Sequence, residues 1–191
     1  MIAVIIDTET TGLRQHSSTP LSEQPRVIEL AVLRIERGRV ARIDSWLCNP
    51  GQQITAEITK ITGITNDQLS ARYTFKDYLC EIKATFRGAD MLIAHNAPFD
   101  TGMIRDELER AACKDFPWPV NTVCTVQNYQ HLFGHYPNLK KLYLKIVGHE
   151  LTQQHRAIED CFALYAILNA DGFFSAKKKG KIMKLANGGV E

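Results

Sequence analysis

The sequence lacks the features of membrane proteins and of proteins held together by disulfides. Its 191 residues contain no apolar run of about 18, the length that a membrane-spanning helix needs. The apolar start at residues 1–6 is short, has no basic leader and runs into acidic residues, so we predict no signal peptide. The cysteines are odd in number and form no C-x-x-C pair, which disfavours a disulfide framework and a structural zinc site. We therefore predict a cytoplasmic protein with reduced thiols at Cys48, Cys80, Cys113, Cys124 and Cys161.

A large net charge is also missing, although the charge is unevenly distributed. The net charge is +2, and the hydrophobic and charged fractions of 45% and 23% are ordinary for one globular domain. Five of the 23 basic residues and one of the 21 acidic residues lie after residue 176, so residues 1–176 hold 18 basic and 20 acidic residues. The basic end either binds phosphates or is a solvated chain end. We predict a folded domain over residues 1–172 and a basic, disordered tail over 173–191, with lysines at Lys177, Lys178, Lys179, Lys181 and Lys184.

The order of hydrophobic patterns predicts an α/β fold. Three β-rich runs come first, at residues 2–6, 27–35 and 40–47, and a hairpin signal at Arg37-Gly38-Arg39 joins the last two. They predict an antiparallel meander. Short apolar strands then alternate with helical patterns, which predicts one mixed central sheet flanked by helices. The later strands are predicted at 91–94 and 120–124, and the helices at 56–61, 75–86, 99–112, 139–147 and 157–168.

Two acids stand where the first predicted strand ends. Asp7 and Glu9 are two residues apart, so in an extended segment their side chains point to the same side. Thr10, Thr11 and Gly12 then turn the chain away. Carboxylate oxygens are the ligands that Mg²⁺ prefers, so this pair indicates a divalent-metal site. The alternative is a solvated pair of acids at a strand end.

Three further polar residues follow at helix starts. Asp100 lies in the predicted first turn of a helix, where an acid also suits the helix dipole without any further role. His155 and Asp160 are five residues apart, which does not place them on one helix face. They converge only if His155 precedes the helix that contains Asp160. A metal would partner the acid, and so would a nearby hydroxyl or backbone amide.

Three segments together resemble one enzyme family. DTETTGL at residues 7–13, AHNAPFD at 94–100 and HRAIED at 155–160 are similar, in order and spacing, to the motifs of the DEDDh (DnaQ-like) 3′–5′ exonucleases. The resemblance covers about residues 1–170 and implies a ribonuclease-H-like fold. The chain departs from the pattern at Thr62, where many relatives have a histidine near the terminal nucleotide.

The resemblance implies a role for each matching residue. Asp7, Glu9, Asp100 and Asp160 would hold two Mg²⁺ or Mn²⁺ ions, and His155 would be the general base. Leu13 and Phe99 would pack against the terminal bases. The residues near the 3′ nucleotide would be Thr10, Gly12 and Asn96.

The implied activity is stepwise hydrolysis from the 3′ end of a single-stranded or frayed nucleic acid, with release of nucleoside 5′-monophosphates. DNA is the expected substrate, in proofreading, repair or degradation, and the expected partners include a polymerase or replication complex, or a second copy of the chain. Two alternatives stay open. One is an RNA-trimming or oligoribonucleotide-degrading exonuclease, and the other is a catalytically idle nucleic-acid-binding or polymerase-accessory protein.

Overall fold

The central sheet is mixed and has five strands, as the sequence pattern predicts. A computed structural model describes residues 1–16, 18–152 and 156–175. The strands lie in the order β3-β2-β1-β4-β5. The first three form the predicted antiparallel meander, whereas β4 and β5 run parallel to β1. Their bounds are β1 (Ile2–Thr10), β2 (Val27–Glu36), β3 (Arg39–Leu47), β4 (Met91–Ala94) and β5 (Asn121–Cys124).

Helices cover both faces of the sheet. One layer of the core lies between the sheet and α6 and α7, and a second lies between the sheet and α3 and α4. A smaller cluster packs under α1 and α2. The helices are α1 (Ala56–Thr62), α2 (Asn66–Ser70), α3 (Leu79–Phe86), α4 (Ala97–Arg110), α5 (Thr125–Asn128), α6 (Leu139–Val147) and α7 (Ala157–Ala170), with a 3₁₀ turn at Gln130–Leu132.

Strand β1 serves both layers of the core. Its side chains alternate between the two faces of the sheet, so Ala3 and Ile5 pack toward α7 while Val4 and Ile6 pack toward α4. Pairing with β2 on one side and β4 on the other makes β1 an interior strand. The later residues of β1 continue this alternation, so each of their side chains points to a predictable face of the sheet.

Some predicted boundaries were wrong. We expected β1 to end at Ile6, but it continues to Thr10 because residues 7–10 still pair with β2, with a register shift between Glu9 and Thr10. The third helix begins at Leu79, so Phe75 is buried in the preceding loop. Helix α4 begins at Ala97, two residues earlier than expected.

Two short helices were not predicted, because neither is long enough to show a hydrophobic period. Helix α2 is instead defined by its capping box, in which Thr65 and Gln68 exchange hydrogen bonds. Helix α5 spans four residues and shows no side-chain cap. Neither element contributes an acid to the site described below.

Two predicted functional segments lie outside the described residues. They are His155 and the lysines of the predicted tail. Phe173, the first residue assigned to that tail, is buried in the core against the α7 side of the sheet. Within residues 1–16, 18–152 and 156–175, no helix has both the length and the hydrophobicity required to cross a bilayer.

Candidate metal centre

Three carboxylates from two elements meet near the carboxyl end of strand β1. Asp7 and Glu9 are on β1 and continue the alternation that points Ala3 and Ile5 toward α7. Asp160 comes from the first turn of α7. Each of the three offers an oxygen, and these oxygens all lie within 4.8 Å of one another.

Asp100 approaches the same strand from the opposite face. It lies in the first turn of α4, is 3% exposed and accepts a hydrogen bond of 2.8 Å from the Thr8 hydroxyl. Thr8 stands between Asp7 and Glu9 in the chain, so its side chain points away from theirs. Among the described residues, the cluster within 4.8 Å contains the other three acids and not Asp100. Its charge nevertheless acts on the cluster, because it raises the pKa of Asp7.

The carboxylates destabilise one another's charged forms. Burial, followed by the negative charges of Asp160 and Glu29, raises the pKa of Glu9 from its ordinary 4.5 to about 7. Burial and the charge of Asp100 raise the pKa of Asp7 well above its usual range. Burial likewise raises the pKa of Asp100 to about 7, although the hydrogen bond from Thr8 lowers it.

This donor set fits a hard divalent cation. Half-buried acids that repel one another are costly unless a positive charge offsets them, and carboxylate oxygens at short range are the ligands of Mg²⁺ and Mn²⁺. The Arg156 guanidinium lowers the pKa of Glu9, but it is already engaged by Glu29 at 2.9 and 3.0 Å. A cation at Asp7, Glu9 and Asp160 would favour the ionised form of all three.

The turn after β1 presents the residues predicted to contact substrate. The buried Thr10 hydroxyl donates to the Gly12 carbonyl at 2.7 Å, and the Thr11 amide donates to the Arg26 carbonyl at 2.9 Å. Leu13 follows and is 78% exposed, so its side chain is available for contact. Thr10 thus shapes the turn, and its hydroxyl is not turned to solvent.

The second predicted segment lies at the start of α4. Asn96 is exposed at the N-cap position and makes no side-chain cap, and Phe99 is half-buried against the α4 layer of the core. Within the same motif, His95 contacts the Thr125 hydroxyl of α5 at 3.0 Å and the Pro137 carbonyl at 3.1 Å. Burial lowers the pKa of His95, and its two contacts make the ring a structural link.

Thr62, where the chain departs from the family pattern, is part of the packing of α1. It is 3% exposed; its hydroxyl donates to the Ile58 carbonyl at 2.9 Å and accepts from the Ile64 amide at 3.1 Å. Both contacts are made within the segment itself. The position therefore has a structural role in this chain.

Sequence reasoning missed two residues next to the cluster. Glu29 lies opposite Glu9 in the β1–β2 ladder and is 0% exposed, and Arg156 pairs with it. The signal for Glu29 was present, since it is a lone acid inside the apolar run VIELAVL. Its partner lies 127 residues away in the chain, so no local pattern could indicate the pair.

Comparison with known proteins identifies relatives over almost the whole chain. A family described as exonuclease matches residues 4–168. The chain is 33% identical over 161 residues to the DNA polymerase III subunit epsilon of Aquifex aeolicus, covering 82% of this chain and 73% of the relative. It is 31% identical over 186 residues to the PolC-type DNA polymerase III of Clostridium perfringens, covering 95% of this chain. The match spans 12% of that polymerase, so the chain corresponds to a small part of the PolC-type relatives.

Solved structures share the fold. Exonuclease X in complex with 5′ overhanging duplex DNA superimposes with a TM-score of 0.66 at 22% identity, covering 97% of this chain and 98% of that one. The nuclease domain of 3′hExo, described as a DEDDh family member bound to rAMP, gives a TM-score of 0.69 at 16% identity, covering 92% of each chain. At these identities the likeness establishes the ribonuclease-H-like arrangement of the elements.

Proposed function

Because the chain belongs to the DEDDh (DnaQ-like) family of 3′–5′ exonucleases, we propose that it removes nucleotides one at a time from the 3′ end of a DNA strand. The observation that carries the proposal is the convergence of Asp7, Glu9 and Asp160 within 4.8 Å. Asp100, on the other face of β1, would be the fourth acid of the set. The products would be nucleoside 5′-monophosphates.

The proposed cofactors are two Mg²⁺ or Mn²⁺ ions. The family is divalent-metal dependent, and the acids of this chain fit such a cation by donor type and spacing. Asp7, Glu9 and Asp160 would hold the ions from the α7 side of β1, and Asp100 from the α4 side. When bound, the ions would supply Lewis acidity, lowering the pKa of the attacking water and stabilising the charge on the phosphate and the leaving 3′ oxygen.

The chain's own residues would bind the strand end and move the proton. His155, five residues before Asp160, is the proposed general base, because imidazole has an ordinary pKa of about 6.5 and accepts a proton near neutral pH. Leu13 and Phe99 would pack on the terminal bases, a contact that is worth roughly 1–3 kcal/mol per base and does not depend on sequence. Thr10, Gly12 and Asn96 would contact the 3′ nucleotide through the turn and the start of α4.

A role beside or within a DNA polymerase is supported by the relatives. Two relatives that match over most of this chain are named as DNA polymerase III proteins, one of them a separate subunit and the other a much longer chain. We therefore propose that the partner is a polymerase or replication complex, with proofreading, repair or degradation of DNA as the outcome. The predicted cytoplasmic location is consistent with this role. The predicted homodimer has no support from the described residues or from the relatives.

The decisive experiment is hydrolysis of matched DNA and RNA strands. Strands labelled at the 5′ end should be shortened in single-nucleotide steps when Mg²⁺ or Mn²⁺ is present, and a circular single strand should stay intact. An Asp7→Asn variant, which keeps the side-chain shape, should be inactive on every substrate. Faster shortening of the RNA strand than of the DNA strand would show that RNA is the preferred substrate. Cleavage of the circular strand would show an endonuclease. Strand binding without hydrolysis in either metal would favour the idle binding protein.

A further inference from the structure

The carboxylate of Glu29 joins the middle of the sheet to the start of α7. It is 0% exposed, and both of its oxygens accept hydrogen bonds. Arg156 donates to one oxygen from Nε at 3.0 Å and to the other from Nη2 at 2.9 Å. The Ala157 amide donates at 3.3 Å and the Ser45 hydroxyl at 2.9 Å.

These contacts replace the cap that α7 does not supply for itself. Arg156 is the N-cap residue and its side chain makes no capping hydrogen bond within the helix. The Ala157 amide belongs to the first turn, whose N–H groups have no intrahelical partner. Glu29 reaches this amide from a neighbouring strand, so a carboxylate from β2 fixes where α7 begins.

The backbone of Arg156 carries the constraint to the metal centre. Its carbonyl accepts from the Glu159 amide at 2.9 Å and from the Asp160 amide at 3.1 Å. Glu29 therefore fixes Arg156, whose carbonyl accepts a hydrogen bond from the Asp160 amide. Two hydrogen-bonded steps separate the buried carboxylate from the acid that faces Asp7 and Glu9.

We propose that Glu29 is a positioning residue for the metal centre, which fixes Arg156 and the first amide of α7 and so places the Asp160 carboxylate against Asp7 and Glu9. The inference rests on the proposed function, because it assigns Glu29 a role at the metal site proposed there. Outer residues that orient metal ligands typically change metal affinity by about 10–100-fold when they are replaced. Glu29 is not one of the three acids whose oxygens lie within 4.8 Å of one another, and both of its own oxygens accept hydrogen bonds from other groups.

Glutamine is the informative replacement at position 29. It keeps the shape of the side chain but removes the charge, and its amide group would face the N–H donors of Arg156 and Ala157. The guanidinium would then lose its bidentate partner, and the first turn of α7 would lose a charged acceptor. A small displacement of the Asp160 carboxylate is enough to weaken a divalent site, because Mg²⁺ in particular requires near-ideal geometry.

The chain offers a matched control on the other face of the sheet. Glu107 of α4 is 2% exposed, accepts from Arg26 at 2.7 and 3.1 Å, and accepts from the Val27 amide at 3.2 Å. It therefore combines a buried carboxylate, an arginine fork and a backbone amide as Glu29 does, with a further contact from Arg110 at 3.1 Å. It lies near the end of α4, on the face of the sheet opposite to α7. Glu107→Gln should destabilise the fold in a similar way without moving the metal ligands.

The test is calorimetric titration of the metal-stripped full chain with Mn²⁺, beside the stability of each variant in urea. We expect Glu29→Gln to bind Mn²⁺ about 10-fold more weakly than the wild type, while Glu107→Gln binds within about 2-fold. In steady-state assays Glu29→Gln should lower kcat and leave KM for the strand nearly unchanged. If Glu29→Gln does not fold, Arg156→Lys takes its place, because lysine keeps the charge but cannot form the fork.

The outcomes separate this inference from the proposed function. A folded Glu29→Gln variant with wild-type Mn²⁺ affinity would overturn the inference. An equal loss of Mn²⁺ affinity in Glu107→Gln would overturn it too, because it would show that the loss comes from general destabilisation. If Arg156→Lys is tested because Glu29→Gln does not fold, wild-type Mn²⁺ affinity in Arg156→Lys would also overturn the inference. No Mn²⁺ binding by the wild type would instead refute the metal site of the proposed function.

Discussion

Replacing Glu9 with glutamine should make the metal-free protein more stable at pH 8, although it removes a proposed metal ligand. The reason is the electrostatic cost of the acid cluster. Burial and the charges of Asp160 and Glu29 raise the pKa of Glu9 from 4.5 to about 7, which means that its ionised form is unfavourable in the folded state. Glutamine has nearly the same shape and carries no charge.

The size and sign of the effect follow from the two pKa values. In the unfolded chain Glu9 has its ordinary pKa, so between about pH 4.5 and about pH 7 folding takes up a proton and the wild type loses stability as the pH rises. The gap of about 2.5 pH units, at about 1.36 kcal/mol per unit, corresponds to about 3 kcal/mol above pH 7. Below about pH 4.5 both states are protonated, and the advantage of Glu9→Gln should vanish.

The measurement is urea unfolding in EDTA at pH 4.5, 6, 7 and 8. Glu109→Gln, at an exposed position of α4, is the control and should differ from the wild type by less than about 0.5 kcal/mol at every pH. Mn²⁺ at 1,000 times its Kd should reverse the order at pH 8, because it stabilises the wild type by about 4.1 kcal/mol, which exceeds the advantage of about 3 kcal/mol. A Glu9→Gln advantage that does not grow with pH would refute the idea that these carboxylates repel one another in the folded protein.

Three further predictions concern catalysis, the tail and the turn after β1. His155→Ala should lower single-turnover hydrolysis strongly while strand binding stays nearly intact, and unchanged turnover would mean that another group is the base. Deleting residues 177–191 should weaken strand binding and flatten its salt dependence, because each phosphate that a lysine neutralises releases a counterion; identical salt slopes would show that the tail has no role. Gly102→Ala should stabilise an Arg14→Ala variant by about 1 kcal/mol, because alanine has the higher helix propensity. It should not stabilise the wild type, because the added Cβ would lie 2.9 Å from Arg14 Cδ and disturb the 2.8 Å ion pair between Arg14 and Asp106. Equal effects of Gly102→Ala in both backgrounds, measured by urea unfolding, would contradict this last explanation.

The part of the site on β1 could be predicted from sequence because it depends on local geometry. The two-residue spacing of Asp7 and Glu9 fixes their common face in any extended segment, and the apolar run before them predicts an interior strand. The end of β1 could not be predicted in the same way. Its last residues are held by pairing with β2, a long-range contact that the polar sequence after Ile6 does not reveal.

The relation of Asp100 to the other acids also depends on tertiary structure. The sequence placed it in a first helical turn, which the structure has, but its contact with Thr8 arises because α4 packs on the opposite face of β1. The Glu29 and Arg156 pair shows the same limit more strongly. A lone acid in an apolar strand signals a buried partner, but the identity of that partner depends on where α7 returns to the sheet.

The attachment of the acids to two unlike elements means that the two sides of the site should open at different free energies. The backbone that carries Asp7 and Glu9 is paired with β2, and the same strand is paired with β4 at residues 3–5, so the β1 amides that bond to β2 should exchange only when the whole domain unfolds. The first turn of α7 is held by the buried Ala157 and by the Glu29 carboxylate, and it lies at the end of its helix, where opening costs less than in a paired interior strand. Asp160 is therefore the acid whose arrival and departure can assemble or dismantle the site while the remainder of the fold stays closed.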